Sequence, residues 1–362
     1  MNLFKHIVFI SLISLFLCAC MTKTEKRDTT FNVSPSQVTW KDKFVFDDCI
    51  ALNGNDSIPL STISKCLIDD NQFIIYDKKS RKIFAYTRDG QFKHQIGREG
   101  RAKSEYINIK DITFSHDHSL LYVLDDLGII IYDALTGVYK ERDKIEPLNP
   151  TCYWKFQVIG SGHYLLFNPQ EDGLGEIIEY NNGDWTDVRK TGFYQLACER
   201  FYMNEDNIRV IPSYGDFNIC TYEDEHLTPS FMIEFENDKL PAEQKPKNFN
   251  EFLKMSGEGK WFNCILSAHE TSSWIYANIL GPKQTCYWLF GNKENGTVYC
   301  SPMPMDDGMQ IVDSYKDSFY AVVHPEMVGE DSYIRNFIEE INESSNNLYL
   351  ISFHIKNEIP KE

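Results

Sequence analysis

Two stretches decide the fold: QFIIYDKKSRKIFAYTRDGQF (72–92) and LLYVLDDLGIIIYDALTGVY (120–139). In each, an apolar run closes on an aspartate (Asp77, Asp125), a short polar turn follows, and a second apolar run leads into another turn. Those turns are Arg88-Asp89-Gly90 and Ala134-Leu135-Thr136-Gly137, residue types that reverse a chain between strands. Looser copies begin at Tyr164, Ile208, Trp274 and Phe319, the last completed by 347–358. Equivalent positions (Asp77, Asp125, Asn168, Pro212, Asn278, His324) lie 48, 43, 44, 66 and 46 residues apart. A multi-strand unit repeating every 40–50 residues or so is the mark of a β-propeller. Six copies predict an all-β, six-bladed propeller with four-stranded antiparallel blades. A pair of β-sandwiches is the competing architecture.

Working outward, the long interval holds a Lys-rich segment with helical spacing at Phe249, Phe252 and Leu253. It predicts a helical insertion near 241–260, and 337–343 predicts a second helical excursion inside the last blade. Ring closure is expected from pairing of N- and C-terminal strands, with 43–48 and 50–54 completing the blade of 348–355. The propeller domain is then 37–362.

The 362 residues carry 53 Asp plus Glu against 36 Lys plus Arg, a net charge of −17. Such a surface repels phosphate backbones, so no nucleic-acid partner is expected. Of the ten cysteines, eight lie beyond residue 20, and none of these pairs at CxxC spacing. Most neighbour aromatic or β-branched residues, which suits buried thiols better than a disulfide scaffold or metal cluster.

The N-terminus is read separately. After Lys5, an apolar run from Ile7 to Leu17 ends in Leu17-Cys18-Ala19-Cys20. It is too short for a span, which needs about 20 apolar residues, and suits a secretory signal. The ending resembles the lipobox of bacterial lipoproteins. That resemblance implies a signal peptide over 1–19, lipid attachment at Cys20 and a flexible tether over 20–36. Several acyl chains, at about 0.8 kcal/mol per buried methylene, would anchor the protein to a membrane. Export to the outer membrane is expected, with the periplasmic or outer face left open.

Between Tyr76 and Tyr139 the resemblance is more specific. Asp89-Gly90, Ile96-Gly97-Arg98, Gly100 and Glu105-Tyr106 resemble the pattern of the six-bladed β-propeller lipoproteins of Bacteroidota, relatives of NHL-repeat propellers. Where that family has Gly-Pro-Gly-Glu-Tyr, this chain has Ala102-Lys103-Ser104-Glu105-Tyr106. The resemblance implies an exported, anchored propeller more than it implies an activity.

No HExxH, GxSxG, P-loop or GxGxxG motif is present. Ser115-His116-Asp117-His118-Ser119 reads as a turn rather than a metal site. The carboxylate pairs Asp69-Asp70, Asp125-Asp126, Asp306-Asp307 and Glu330-Asp331 read mainly as turn and surface groups, because adjacent strand residues point apart. Arg98, Arg101, Glu105 and Tyr106 have two readings: a blade-junction brace, or a rim site binding a polar ligand through guanidinium forks and an aromatic face. Trp154, Trp185, Trp261, Trp274 and Trp288 are further aromatic candidates. The leading expectation is a binding or interaction module for a glycan, peptide or partner protein, with no cofactor and, on balance, no enzymatic activity. The alternative is a lactonase- or esterase-like hydrolase around a central Ca²⁺, which needs inward carboxylates from several blades.

Overall fold

In a computed structural model, residues 29–53, 60–169, 177–190, 198–212, 214–236, 240, 244, 246–339 and 348–356 are described. Their strands form six sheets arranged as the blades of a ring. Blade 1 is Ile63–Ile68, Gln72–Asp77, Lys82–Thr87 and Phe92–Ile96. Blade 2 is Asp111–Phe114, Leu120–Asp125, Gly128–Asp133 and Tyr139–Asp143. Blade 3 is Lys155–Gly160, His163–Phe167, Ile177–Asn181 and Asp184–Arg189. Blade 4 is Phe201–Asn204, Asn207–Val210, Asn218–Glu223 and His226–Phe235. Blade 5 is Cys264–Glu270, Trp274–Leu280, Cys286–Asn292 and Val298–Pro302. Blade 6 is Met309–Tyr315, Ser318–Val323 and Tyr349–Ile355, completed by Phe44–Ala51. The last pairing is antiparallel, from Phe44 opposite Ile355 to Ala51 opposite Tyr349. The terminal segments thereby close the ring.

The strands are apolar on both faces because each blade is sandwiched between two others. Alternate residues feed different interfaces. In blade 1, Ile74, Tyr76, Ile83 and Ala85 pack toward blade 2 against Leu121, Val123, Ile130 and Tyr132. Their neighbours Phe73, Ile75, Phe84 and Tyr86 pack toward blade 6 against Tyr320, Val322 and Leu350. The same alternation fills the other four interfaces. Six apolar clusters between six sheets leave no open edge between first and last blade.

The repeated aspartates have a covalent-like economy of contacts. Asp77, fully buried, accepts from the Ser61 N–H (2.9 Å) and the Lys79 N–H (2.9 Å). Asp125, also fully buried, accepts from the Ile107 N–H (2.9 Å) and the Leu127 N–H (2.8 Å). Each carboxylate therefore ties the loop leading into its blade's inner strand to the turn after the second strand. That dual duty is why the residue recurs.

Two segments differ from expectation. Thr29–Val33, which lies within the expected tether of 20–36, is a fifth strand on blade 4, parallel to His226–Phe235. Its alternate residues Phe31 and Val33 are buried, and the Phe31 ring fills the space left by Gly291, where a Cβ would come within 2.6 Å. Two apolar residues among polar ones are too weak a pattern to read as a strand. The chain then crosses blade 5, with the Ser36 N–H donating to Cys300 O (2.9 Å) and Trp40 packing on Trp288 and Phe290. Helix α1 (Trp40–Lys43) leads into the closing strand. The region around 241–260 carries helix α2 (Phe249–Glu258), capped by the Asn248 side chain and docked through Phe252 on Tyr214. Helix α3 (Tyr333–Glu339) stands in blade 6; of the expected 337–343, residues 340–343 lie outside the described residues. Residues 1–28, with Cys20, lie outside the described residues. All eight cysteines of the described residues are free thiols.

Candidate functional site

The loop 98–106 is a brace. Glu105 pairs with the Arg98 guanidinium (2.6 Å) and accepts from the Ala102 N–H (2.8 Å). Those contacts, the Ala102 amide foremost, hold its carboxyl below the usual range. Arg142, paired with Asp125 at 2.7 Å, also donates to Glu105 O (2.7 Å). Gly97 lies in the left-handed region (φ 58°), and a Cβ there would meet the Tyr132 hydroxyl at 2.5 Å, so the Ile-Gly-Arg strand end needs its glycine. Tyr106 is 1% exposed and packed between blades 1 and 2, so it presents no face to a ligand. Of the four expected rim residues, Arg98 and Arg101 stand on the surface, and none lines the central cavity. Among the tryptophans, Trp274 and Trp288 are core, while Trp154 and Trp185 are exposed away from the cavity.

The central cavity, about 650 Å³, is lined by the inner strands of all six blades and by the turns that follow several of them. An alternating arc of charge, its floor, meets the cavity through Lys65 and Glu199. Lys65 (blade 1), Asp111 (blade 2), Lys155 (blade 3) and Glu199 (leading into blade 4) interlock. Lys65 Nζ is 2.9 Å from Asp111 and 3.3 Å from Glu199, and Lys155 Nζ is 3.6 Å from Asp111 and in direct contact with Glu199. Burial alone would raise the Glu199 carboxyl, yet the Lys155 and Lys65 ammoniums outweigh it and hold it down to about 2. These residues escaped the sequence reading, although a signal existed: they recur at 46, 44 and 44 residues with alternating sign, which is the blade period.

Above the floor the lining changes character. His269 on blade 5 and Asp313 on blade 6 face each other, Nδ1 to Oδ1, at 3.6 Å. Burial pushes the Asp313 carboxyl up to about 7 and the His269 imidazole down to about 4, so near neutrality the imidazole is uncharged and Asp313 is partly ionised. Tyr202 on blade 4 sits beside His269, ring centroids 6.2 Å apart. Thr113 and Gln157 continue the polar wall on blades 2 and 3.

At the mouth, Asp117 accepts from Ser115 and Ser119, forming the expected turn; those bonds, led by the Ser115 hydroxyl, lower its carboxyl to about 2. His116 reaches over blade 3 to Asp206 of blade 4 (2.7 Å). Ser272 of blade 5 pairs with Asp317 of blade 6, and Lys316 of blade 6 reaches Asp70 in the first turn of blade 1 (2.6 Å). The carboxylate pairs are turn groups: Asp69 accepts from the Asn71 and Gln72 N–H groups, and Asp307 from Ser332. Among the described residues, no three His, Cys, Asp or Glu side chains come together as a metal site. Asp111 and Glu199, the carboxylates nearest the floor, are held by lysines instead.

A Bacteroides fragilis protein described as exported has the same architecture, with a TM-score of 0.75 over 91% of this chain and all of its own, at 14% identity. A DUF4221 member from Bacteroides vulgatus aligns with a TM-score of 0.59, covering 87% of this chain and 98% of that one at 10% identity. At these identities the likeness concerns fold. No curated protein matches the chain. Residues 45–355, from the closing strand to the end of blade 6, match DUF4934, a domain of unknown function, and the chain belongs to that family.

Proposed function

We propose that this protein is an exported propeller, anchored by lipid at Cys20, that binds a small ligand or the end of a larger one in its axial cavity. One observation carries the reading: all six inner strands converge on a 650 Å³ cavity whose upper wall displays polar side chains that the fold does not use up. Cavities of a few hundred cubic ångströms with a few convergent polar groups are the usual form of small-molecule sites. The signal-like N-terminus supports export, as does the description of the Bacteroides fragilis relative. The floor lysines argue against a multi-carboxylate Ca²⁺ centre there, so a binding role is favoured over metal-assisted hydrolysis.

The test is a melting-temperature screen of the full mature chain against neutral and charged glycans, peptides and small metabolites. Ser272→Trp, at the exposed mouth, serves as the obstructed control. A ligand at a hundred times its Kd stabilises by about 2.7 kcal/mol, a readily measured shift. A shift in the parent and none in Ser272→Trp is expected. Equal shifts in both, or none across the screen, overturns the cavity reading. Anchoring is tested separately: fatty-acid labelling should vanish in Cys20→Ala, and equal labelling would refute it.

A further inference from the structure

We infer that the upper cavity is a site for an organic ammonium, a ligand whose protonated amine is held by Asp313, His269 and Tyr202. This deepens the cavity reading and rests on it. The three residues come from three successive blades and all line the cavity. His269 and Tyr202 are each 8% exposed, and neither His269 Nδ1 nor the Tyr202 hydroxyl has a hydrogen-bond partner among the described residues. The 3.6 Å between His269 Nδ1 and Asp313 Oδ1 is beyond hydrogen-bond reach. Buried polar groups left without partners are costly, so their convergence on one cavity points to something that supplies partners.

The charge balance decides what that is. The lining holds six carboxylate residues against two lysines, Lys65 and Lys316. Both lysines are already bound, by Asp111 and Glu199 and by Asp70. Glu270 is matched by Arg209 and Lys293. Asp313 accepts from the Ser314 N–H (2.8 Å) but is in no ion pair with a lysine or arginine among the described residues. An anion would find no free cation on this wall, whereas a cation would find a carboxylate. A primary ammonium carries three donors, and the wall offers three acceptors: a carboxylate, a phenolic oxygen and an imidazole nitrogen. The buried imidazole is neutral near pH 7, as an acceptor must be. Phe201 adds an apolar ring to the same lining.

Calorimetry at pH 7 on the full mature chain tests this with three probes: cadaverine, glucosamine and a short peptide amide with a free N-terminus. Each is paired with its N-acetylated form. At least one amine should bind, at least tenfold more tightly than its acetylated partner, and the probe that binds identifies a diamine, amino sugar or peptide end as the source. Asp313→Asn should weaken that amine tenfold or more and Tyr202→Phe about threefold, with Arg98→Ala unchanged. Tyr202→Phe deletes only a hydroxyl, so it keeps the test sound should Asp313→Asn fold poorly. If acetylated and free amines bind alike, or the variants bind as the parent does, the ammonium assignment is wrong while the cavity reading stands. Silence from every amine also overturns the assignment; the cavity reading is then decided by the broader screen, which includes neutral ligands.

Discussion

The floor and the upper wall of the cavity are built from the same strands by opposite rules. On the floor, Lys65, Asp111, Lys155 and Glu199 bring two positive and two negative charges into mutual contact, each answered by a neighbour on another blade. On the wall, Asp313 faces a neutral imidazole, and the nearby Tyr202 hydroxyl faces nothing among the described residues. The floor is spent on the ring; the wall is not. A polar group that the fold satisfies tells about stability, and one that it leaves open tells about binding.

The sharpest way to break this contrast is to remove one floor charge. Glu199→Gln leaves Lys65 and Lys155, both largely buried, facing a single carboxylate, Asp111. Breaking a buried pair in this way costs about 3–5 kcal/mol, because the unpaired charges remain buried. Urea denaturation at pH 7 should show the midpoint falling accordingly. A loss under about 1 kcal/mol would mean that the floor is solvated and the two regions differ less than their contacts indicate.

The next effect is a pH dependence of opposite sign at Glu199 on the floor and Asp313 on the wall. Glu199 is held down to about 2, so its stabilisation is present above the ordinary carboxylate pKa near 4.3 and is lost as pH falls through 2. Asp313 is raised to about 7, so its protonated form is favoured by folding; that contribution is complete below about 3.9 and lost as pH climbs through 7. His269, lowered to about 4, costs stability as pH drops from about 6.5 toward 4. Asp313→Asn removes only the loss on the alkaline side. Relative to the parent, it should gain about 4 kcal/mol between pH 4 and pH 8, read from urea midpoints at each pH. Parallel parent and variant curves would show that Asp313 ionises freely in the folded ring.

The fold was legible because a propeller writes its period into the chain. Asp77 and Asp125 recur since each closes both a turn and an inter-blade loop, and the closing strand 44–51 is apolar enough to stand out. Thr29–Val33 was not legible, because its burial rests on Phe31 and Val33 alone and on a partner strand two hundred residues away. The site was harder for a related reason. Arg98, Arg101, Glu105 and Tyr106 looked functional as a local cluster, yet locality is what a brace requires: five of its hydrogen bonds lie within eight residues. His269, Asp313 and Tyr202 meet only through the packing of three successive blades, and no short motif can join residues so far apart in the chain. The alternating Lys65, Asp111, Lys155 and Glu199 could have been found, by reading charge at the blade period rather than along the chain.

The smallest predicted effect separates the regions most cleanly, because it compares one deleted oxygen with another. Tyr132 and Tyr202 are both buried tyrosines, but the Tyr132 hydroxyl donates to Ser104 O (2.9 Å) in the brace, whereas the Tyr202 hydroxyl has no partner among the described residues. Tyr132→Phe should therefore cost about 1 kcal/mol, the net worth of an ordinary hydrogen bond plus a stranded carbonyl. Tyr202→Phe removes a group that burial already penalises, so stability should stay within about 0.5 kcal/mol of the parent or rise slightly. If Tyr202→Phe proved as costly as Tyr132→Phe, its hydroxyl would be serving the fold after all. The wall would then be no more open than the floor.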